Sequence, residues 1–338
     1  MSRQVAPPVT RPVPVVLDVD TGVDDACALL LAALHPDLEL RGVTCVGGNA
    51  SVDEVVRNTV KVLDTAGRPD IPVARGAARP LLAPLTHARH VHGLDGMADL
   101  GWPSPDPEWH PDPRHAVELL RDLLGQAAAG EAADRVTLVT LAPLTNIALL
   151  LRTYPECAAG LREIVVMGGA ANVGNATASA EFNVWHDPEA AAIVFESAAE
   201  LDIPVVMYGL DVFYDVVVTR EQAAALIAIG GRGPAELAGR LIEFQSGRFG
   251  QHAVTIGDAG AVCAVIDRAG LTTKSLPVRV ELAGEYSRGR TIVDRREWSG
   301  DSAHDPYGVA PTAVEVALSV DAQRYAELWL RTVNIERR

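Results

Sequence analysis

The chain has 338 residues, 48% of them hydrophobic and 22% charged, and it carries a formal net charge of −15. This apolar content supports one large folded core. The excess of negative charge argues against nucleic acid as a partner, because phosphate backbones are bound through basic surfaces. No stretch approaches the roughly 18 uncharged apolar residues that a membrane span requires, and prolines occupy the N-terminal positions where a signal peptide would be apolar. We therefore expect a cytoplasmic protein with no membrane partner.

Short apolar runs alternate with longer amphipathic runs along most of the chain, and this alternation predicts the elements. Strands are predicted at residues 14–20, 38–46, 71–74, 135–141, 163–167 and 205–209. Helices are predicted between them at residues 24–34, 52–66, 115–128, 144–152 and 188–199. Near-continuous β-branched strands that alternate with helices are typical of a parallel sheet covered on both faces. The expected fold class is α/β, with a mostly parallel, Rossmann-like central sheet flanked by helices.

The last third of the chain has a more helical pattern. Helices are predicted at residues 220–229, 234–248, 258–267 and 322–332, and a hairpin-like pair of strands at 278–282 and 291–294. No repeat or linker-like segment divides the sequence. We therefore predict a single domain over residues 14–338, in which a helical cap and a small C-terminal hairpin are added to the sheet. Residues 1–13 are expected to form a disordered N-terminal extension.

Four carboxylates follow the first predicted strand within a short segment: Asp18, Asp20, Asp24 and Asp25. Ligands of parallel α/β sheets bind at the carboxyl ends of the strands, so this segment is a candidate site. Carboxylates placed this close repel one another unless a cation or solvent compensates their charge. Oxygen ligands without His or Cys favour Ca²⁺ or Mg²⁺ over transition metals. The alternative is that Asp24 and Asp25 only cap the following helix, whose N-terminus favours negative charge.

Amide and acidic side chains follow other predicted strands, mostly in glycine-rich loops. They are Asn49, Asn146, Asn172, Asn175, Glu181 and Asn183. Together, such groups can offer each hydroxyl of a sugar both a donor and an acceptor. Taken singly, an Asn in a loop is more often a turn residue. Asn146 in particular is interpreted as part of a helix-start turn and is not counted as a site residue.

Several motifs occur in the order and at the spacing found in one enzyme family. They are DVDTGVDDA at residues 18–26, Asn49, APLTN at 142–146, MGG at 167–169, Asn175, AEFN at 180–183 and Gly257-Asp258. This ordered set resembles the signatures of the inosine–uridine-type nucleoside hydrolases, and the likeness extends over most of the chain. The resemblance implies an enzyme that uses water to cut the N-glycosidic bond between ribose and a purine and/or pyrimidine base.

The resemblance also implies a role for each matching residue. It implies a Ca²⁺ ion held by Asp20, Asp25, Asp258 and the backbone carbonyl of Leu141. Asp20 would also be the general base for the Ca²⁺-bound water. The implied substrate-binding residues are Asp24 and Asn183 for the ribose diol, Asn175 and Glu181 for the 5′-hydroxyl side, and Asn49 and Met167 lining the sugar pocket. Such oxygens would stabilise the positive charge that develops on the ribosyl group as the base leaves.

One departure from the family pattern concerns the group that protonates the leaving base. Gly257 stands where many members have a His, so the proton must come from elsewhere or be less needed. His92 resembles a loop His of the family that approaches the base, and it is the candidate acid, with His252 as the weaker alternative. Gln245 and Phe249 lie one turn apart on a predicted helix and are candidates for contact with the base. If His92 is a bystander, Gly257 is expected to leave room for a bulky base that stacks on Phe249.

Two other functions are also compatible with parts of the sequence. A haloacid dehalogenase-type Mg²⁺ phosphatase has a first strand ending in DxDxT, which would make Asp18 the nucleophile and Asp20 the acid. That mechanism requires a Lys near the nucleophile, and Lys61 and Lys274 are poorly placed for it. A non-catalytic nucleoside- or ribose-binding module would explain Gly257 but has no need of Asp20 as a base. Because the related enzymes are dimers or tetramers, a homo-oligomer is expected.

Overall fold

The computed structural model describes residues 11–104, 109–297 and 312–335. The strands in this part of the chain form one large sheet and one small one. In chain order they are β1 (Val13–Val19), β2 (Leu38–Cys45), β3 (Val73–Arg75), β4 (Val136–Thr140), β5 (Leu161–Met167), β6 (Val205–Tyr208), β7 (Val217–Thr219), β8 (Ala253–Thr255), β9 (Leu271–Val280), β10 (Thr291–Val293) and β11 (Thr312–Val320).

Helices connect most of these strands. They are α1 (Val23–Leu34), α2 (Val52–Thr65), α3 (Arg89–His92), α4 (Ala116–Ala129), α5 (Thr145–Thr153), α6 (Phe182–His186), α7 (Pro188–Glu200), α8 (Leu210–Phe213), α9 (Arg220–Ile229), α10 (Pro234–Phe249), α11 (Ala259–Ile266) and α12 (Ala322–Val333). All the predicted helices are present, with ends shifted by a residue or two. The short helices α3, α6 and α8 were not predicted, because four or five residues are too few to show a helical period.

The main sheet has nine strands in the order β10-β9-β11-β6-β5-β4-β1-β2-β3. Its strands from β11 through β6 to β3 pair in parallel. Only β9 and β10 run antiparallel to their neighbours. The predicted α/β fold with a mostly parallel central sheet is therefore confirmed. A separate antiparallel pair joins β7 to β8.

The central strand β1 shows why the sequences of the parallel strands are nearly continuous apolar runs. It lies between β2 and β4, and its side chains alternate between the two faces of the sheet. Leu17 and Val19 pack into a core shared with α1, α2 and α10, whereas Val16 packs into a second core beneath α4, α5 and α7. Because both faces are covered, the strand can be apolar along its whole length. Its polar residues therefore concentrate at its carboxyl end.

The C-terminal hairpin is present, but its relation to the sheet was not predicted. β10 pairs antiparallel with β9, as the two-strand pattern suggested. β11 was missed, although buried Val314 and Val316 alternate with more exposed residues along it. It inserts between β9 and β6 and thereby joins the hairpin to the central sheet. The pairing partners of β11 are distant in sequence, so the local pattern gave no sign of this placement.

The predicted N-terminal extension lies mostly outside the described residues. Residues 1–10 of the predicted N-terminal extension lie outside them, and Val13 already belongs to β1. No helix in the described ranges is long and apolar enough to cross a membrane.

Candidate active site

The turn between β1 and α1 positions the first acids. β1 ends at Val19, and the chain passes through Thr21 and Gly22 into α1. The Asp25 carboxylate accepts hydrogen bonds from the backbone N–H groups of Gly22 at 2.8 Å and Asp20 at 3.2 Å. Asp25 therefore caps the start of α1, as the alternative interpretation expected. A carboxylate has about four lone-pair sites, however, so Asp25 can also bind a ligand.

An acidic cluster surrounds the first turn of α1. Carboxylate oxygens of Asp24, Asp25 and Asp258 all lie within 4.8 Å of one another. Asp258 directly precedes α11, so the fold brings it to the strand end from a distant part of the sequence. Asp25 and Asp258 are buried, while the Asp24 side chain retains 18% exposure. A small opening to solvent therefore lies at Asp24.

Burial and mutual repulsion raise the pKa values of these carboxyl groups. Burial is the main cause for Asp25, and together with the charge of Asp24 it raises the pKa to about 8. For Asp258, burial and then the charges of Asp24 and Asp25 raise the pKa well above its usual range. Without a positive charge nearby, the pocket therefore favours protonated acids.

This pocket fits a hard divalent cation. The charges that act most strongly on Asp20, Asp25 and Asp258 are those of other carboxylates, and no Lys or Arg is among them. The clustered side chains offer oxygen atoms alone, and carboxylate oxygens are the ligands that Ca²⁺ and Mg²⁺ prefer. A cation would offset both the repulsion and the cost of burying these charges.

Asp20 lies beside the cluster and is held there by Asn49. Its Oδ2 atom accepts a hydrogen bond from the Asn49 backbone N–H at 2.6 Å, and its Oδ1 atom accepts one from the Asn49 amide at 3.1 Å. The same amide donates to Asp25 at 3.3 Å. Burial and then the Asp25 charge raise the pKa of Asp20, while the backbone N–H of Asn49 lowers it. Asn49, predicted to line the sugar pocket, therefore also positions two acids.

The Asn183 amide links the ends of β4 and β5. Its Nδ2 atom donates to the Leu141 carbonyl at 3.0 Å and to the Met167 carbonyl at 3.1 Å. Both of its protons are thus engaged, and no described residue donates to its Oδ1 atom. That oxygen is therefore available to accept a hydrogen bond from a ligand hydroxyl. The Leu141 carbonyl retains a second lone pair that can face a cation.

Glu181 organises the loop between β5 and α6. Its carboxylate accepts hydrogen bonds from the backbone N–H groups of Gly169 at 2.9 Å, Asn183 at 2.8 Å and Val184 at 3.1 Å. Burial raises its pKa to about 7 although these bonds favour the charged form. Its oxygens are therefore largely occupied by the backbone.

Asn175 is exposed on the same loop, and both ends of its amide are engaged. Its Oδ1 atom accepts a hydrogen bond from the Phe182 backbone N–H at 2.9 Å. Its Nδ2 atom donates to the Tyr214 hydroxyl at 3.4 Å. Tyr214 belongs to no recognisable motif, so sequence reasoning missed it.

His92 is buried against the first turn of α1. Its Nδ1 atom accepts a hydrogen bond from the Val23 backbone N–H at 3.1 Å and lies 3.7 Å from Asp24 Oδ1. Burial lowers the pKa of the imidazole, and the charge of Asp24 only partly opposes this. With Nδ1 acting as acceptor, the neutral ring carries its proton on Nε2. The predicted acid thus lies next to the acidic cluster, as a neutral imidazole.

The surroundings of Gly257 leave no room for a side chain at that position. Its backbone has φ +57°, which residues other than glycine rarely adopt. An added Cβ would lie 2.6 Å from Asp24 Cβ and 3.0 Å from the ring of Phe213. Phe213 and Asp24 therefore fill the space beside position 257, and a His cannot be accommodated there without rearrangement.

The candidate base-side residues differ in their surroundings. Gln245 is buried on α10 and makes no hydrogen bond within the described residues, whereas Phe249 is 51% exposed at the end of that helix. Its neighbour Arg248 donates to the His90 carbonyl at 2.8 Å, which brings the end of α10 against α3. His252 is exposed at the surface, and its Nε2 atom lies 3.3 Å from the carboxylate of an acidic residue of α9.

The structure gives Asn146 a larger role than the helix-start turn predicted for it. Its Nδ2 atom donates to Asp18 Oδ1 at 2.8 Å and to the Cys45 carbonyl at 3.1 Å. Its Oδ1 atom accepts from the Ala77 backbone N–H at 2.9 Å. Thr44 also donates to Asp18 Oδ1, so both hydrogen bonds fall on one oxygen of this acid, and its Oδ2 atom has no partner among the described residues. Asp18 and Asn146 therefore tie β1 to β2 beneath the acidic cluster.

The fold and the site define an α/β protein with a cation-fitting pocket at the carboxyl edge of its sheet. The sequence profile described as "Inosine-uridine preferring nucleoside hydrolase" matches residues 15–327, and the chain belongs to this family. The resemblance found in the sequence is therefore confirmed.

Individual relatives agree with this assignment over nearly the whole chain. The chain is 38% identical to the non-specific ribonucleoside hydrolase RihC of Salmonella schwarzengrund over 319 residues, which cover 94% of this chain and 96% of the relative. A solved inosine-guanosine nucleoside hydrolase superposes with a TM-score of 0.86 at 29% identity, covering 96% of this chain and 99% of the other. A purine-preferring ribonucleoside hydrolase from Gardnerella vaginalis gives 0.82 at 28% identity, covering 95% and 98%.

Membership in this family makes the chain an enzyme of the nucleoside hydrolase type, which acts on small-molecule nucleosides. The two alternatives, a phosphatase of the haloacid dehalogenase type and a non-catalytic binding module, are therefore wrong.

Proposed function

We propose that this enzyme hydrolyses the N-glycosidic bond of purine and/or pyrimidine ribonucleosides to ribose and free base, with Ca²⁺ as its metal. The observation that carries the proposal is the oxygen-only acidic pocket at the carboxyl edge of the sheet. The similar proteins named above include a non-specific, an inosine-guanosine and a purine-preferring hydrolase, so the family supports several base preferences.

The proposed metal ligands are the carboxylates of Asp20, Asp25 and Asp258 and the carbonyl of Leu141. Three carboxylates and a carbonyl form a hard, adaptable set of oxygens suited to Ca²⁺. When bound, the ion would orient water and the ribose diol and lower the pKa of that water. Asp24 lies close to Asp25 and Asp258. This proximity supports placing Asp24 at the end of the sugar that faces the proposed ion.

Asp20 is the proposed general base. Its carboxylate would accept the proton of the attacking water, and its hydrogen bonds from Asn49 would hold it in one orientation. Those bonds favour the ionised form against the effect of burial, and a cation would do so further. A base held in this way needs no other side chain to activate it.

The remaining polar groups would bind the sugar and stabilise it as the base leaves. Asp24 and the free Oδ1 of Asn183 would accept hydrogen bonds from the ribose diol. Asn175 and Glu181 would face the 5′-hydroxyl side, and Met167 would line the pocket. As the glycosidic bond breaks, positive charge develops on the ribosyl group, and the surrounding oxygens stabilise it.

His92, Gln245 and Phe249 are the proposed base-side residues. The Nε2–H of His92 can donate to a leaving base, and its location beside Asp24 supports that role. The unpaired amide of Gln245 and the exposed ring of Phe249 would contact the base. We also propose a homodimer or homotetramer from the resemblance alone, and a cytoplasmic location from the sequence composition.

The experiment that tests this function measures reducing sugar released from a panel of purine and pyrimidine nucleosides. Wild type should release ribose, and Asp20→Asn should lose more than the roughly 10²-fold typical of a general base, because Asp20 also binds the metal. Asp37→Asn, at an exposed position far from the pocket, is the matched control and should behave as wild type. A kcat above about a tenth of wild type in Asp20→Asn, about 1.4 kcal/mol in the barrier, would show that Asp20 is not the base.

A further inference from the structure

Tyr214 lies at the rim of the acidic pocket. It directly follows α8, and its side chain is 52% exposed. Its ring packs edge-on against Phe213, with the ring centroids 5.1 Å apart and an interplanar angle of 86°. Phe213 in turn is buried beside Gly257 and Asp24. Contacts therefore run from the exposed ring of Tyr214, through Phe213, to Asp24 in the acidic cluster.

The hydroxyl group of Tyr214 is oriented by the loop that follows β5. The Nδ2 atom of Asn175 donates to it at 3.4 Å, and the Oδ1 atom of Asn175 is itself fixed by a backbone N–H. Among the described residues, this is the only hydrogen bond of the phenol. Its own proton thus has no acceptor in this part of the chain.

The charges near Tyr214 keep that proton in place. Burial raises the pKa of the phenol, and the carboxylates of Glu181 and Asp24 raise it further, while Asn175 acts in the opposite direction. The phenol therefore lies close enough to both acids to respond to their charge. At neutral pH it remains a hydrogen-bond donor.

Other polar groups on this side of the pocket are already engaged. The Glu181 oxygens accept three backbone hydrogen bonds, and both ends of the Asn175 amide have partners. The phenol proton of Tyr214 is consequently the donor that stays available to a ligand here. On a nucleoside whose diol lies at the acidic cluster, the 5′-hydroxyl is the remaining hydroxyl of the sugar and can accept this bond.

We propose that Tyr214 is a specificity-determining residue that donates a hydrogen bond to the 5′-hydroxyl of the nucleoside. The inference rests on the proposed function and extends it to a side chain outside the motifs described in the sequence analysis. It also specifies the substrate class as nucleosides with a free 5′-hydroxyl. A 5′-phosphate would place negative charge near Glu181 and Asp24, so nucleotides are excluded.

The test is a double-mutant cycle between the phenol hydroxyl and the 5′-hydroxyl. Tyr214→Phe keeps the ring and removes only the oxygen, so the packing on Phe213 is preserved. Ribose release from a ribonucleoside that wild type cleaves is compared with release from its 5′-deoxy analogue. We expect Tyr214→Phe to lower kcat/KM about three- to tenfold on the ribonucleoside, the effect of one hydrogen bond. On the 5′-deoxy analogue the variant and wild type should agree within about twofold, since the cycle isolates this pairwise contact.

Tyr286→Phe is the matched control, because Tyr286 is 86% exposed and its phenol makes no hydrogen bond with the described residues. Equal losses by Tyr214→Phe on both substrates, or no loss on either, would overturn the inference. A loss on both nucleosides that disappears with p-nitrophenyl riboside would also overturn it, and would assign Tyr214 to the leaving group instead. A wild-type enzyme that cleaves no nucleoside would overturn the proposed function as well, so the two failures are distinguishable.

Discussion

His92 has one ring nitrogen engaged and the other free. Its Nδ1 atom accepts the Val23 backbone N–H at the start of α1, and its Nε2 atom makes no hydrogen bond with the described residues. Because burial lowers the pKa of this imidazole, it acts at neutral pH as a neutral donor through Nε2. A neutral imidazole does not readily give up this proton, but its hydrogen bond would stabilise the charge that develops on a leaving base. It would matter little to a group that departs as a stable anion.

This property gives a prediction for His92→Ala. The variant should slow hydrolysis of inosine or uridine by about 10²-fold, the effect of removing one hydrogen bond to the charge that develops on the leaving base. It should leave p-nitrophenyl riboside nearly unchanged, because nitrophenolate departs without a proton. Loss of the contact to Val23 would affect both substrates alike, so the ratio of their kcat/KM values isolates the hydrogen bond to the leaving base. His252→Ala, at an exposed surface position, is the control. Equal losses on both substrates would assign His92 to binding rather than to stabilisation of the leaving base.

Single residues also show where sequence reasoning reached its limit. The acids Asp20, Asp25 and Asp258 could be singled out because they stand in motifs whose order and spacing are recognisable. Tyr214 and Phe213 could not, because their importance arises from contacts with residues distant in sequence.

At the scale of elements, the junction between β8 and α11 is set by its glycine. Gly257 takes φ +57° so that the chain can turn and place Asp258 in the cluster. A side chain there would push against Asp24 on α1, and the two helix starts would have to separate. The close approach of α1 and α11 therefore depends on the absence of a Cβ at this position.

We predict that Gly257→Ala lowers both stability and activity. The left-handed backbone alone costs about 1 kcal/mol for an L-residue, and the contact with Asp24 adds to this. Gly67→Ala is the matched control, since Gly67 has φ +71° and a Cβ added there would meet nothing within 4 Å. Urea unfolding should show a larger loss for Gly257→Ala, and ribose release should fall only in that variant. Similar losses in the two variants would mean that the contact with Asp24 is unimportant.

The elements themselves were predictable to different degrees. The parallel strands form continuous apolar runs because both of their faces are buried. The long helices show a helical apolar period because only one stripe of each is buried. β11 was missed, and the short helices α3, α6 and α8 were too brief to show a period. All three of those helices carry or adjoin candidate site residues, namely His92 on α3, Asn183 on α6 and Tyr214 after α8. The least predictable helices are thus found at the site.

At the scale of the whole molecule, the parallel sheet explains why the site forms where it does. The ends of β1, β4 and β5 meet at one edge, and α1 and α11 begin there. This arrangement gathers acids from distant parts of a chain whose net charge is already −15. Without a cation, the buried carboxyl groups of Asp25 and Asp258 have raised pKa values. The folded enzyme is therefore expected to require its metal for activity.

The measurement that tests this claim most directly is ribose release by enzyme stripped with EGTA, with the remaining metal determined by elemental analysis. The stripped enzyme should be inactive, and added Ca²⁺ should restore turnover as the acidic pocket fills. Full activity in a sample shown to contain no metal would contradict the account.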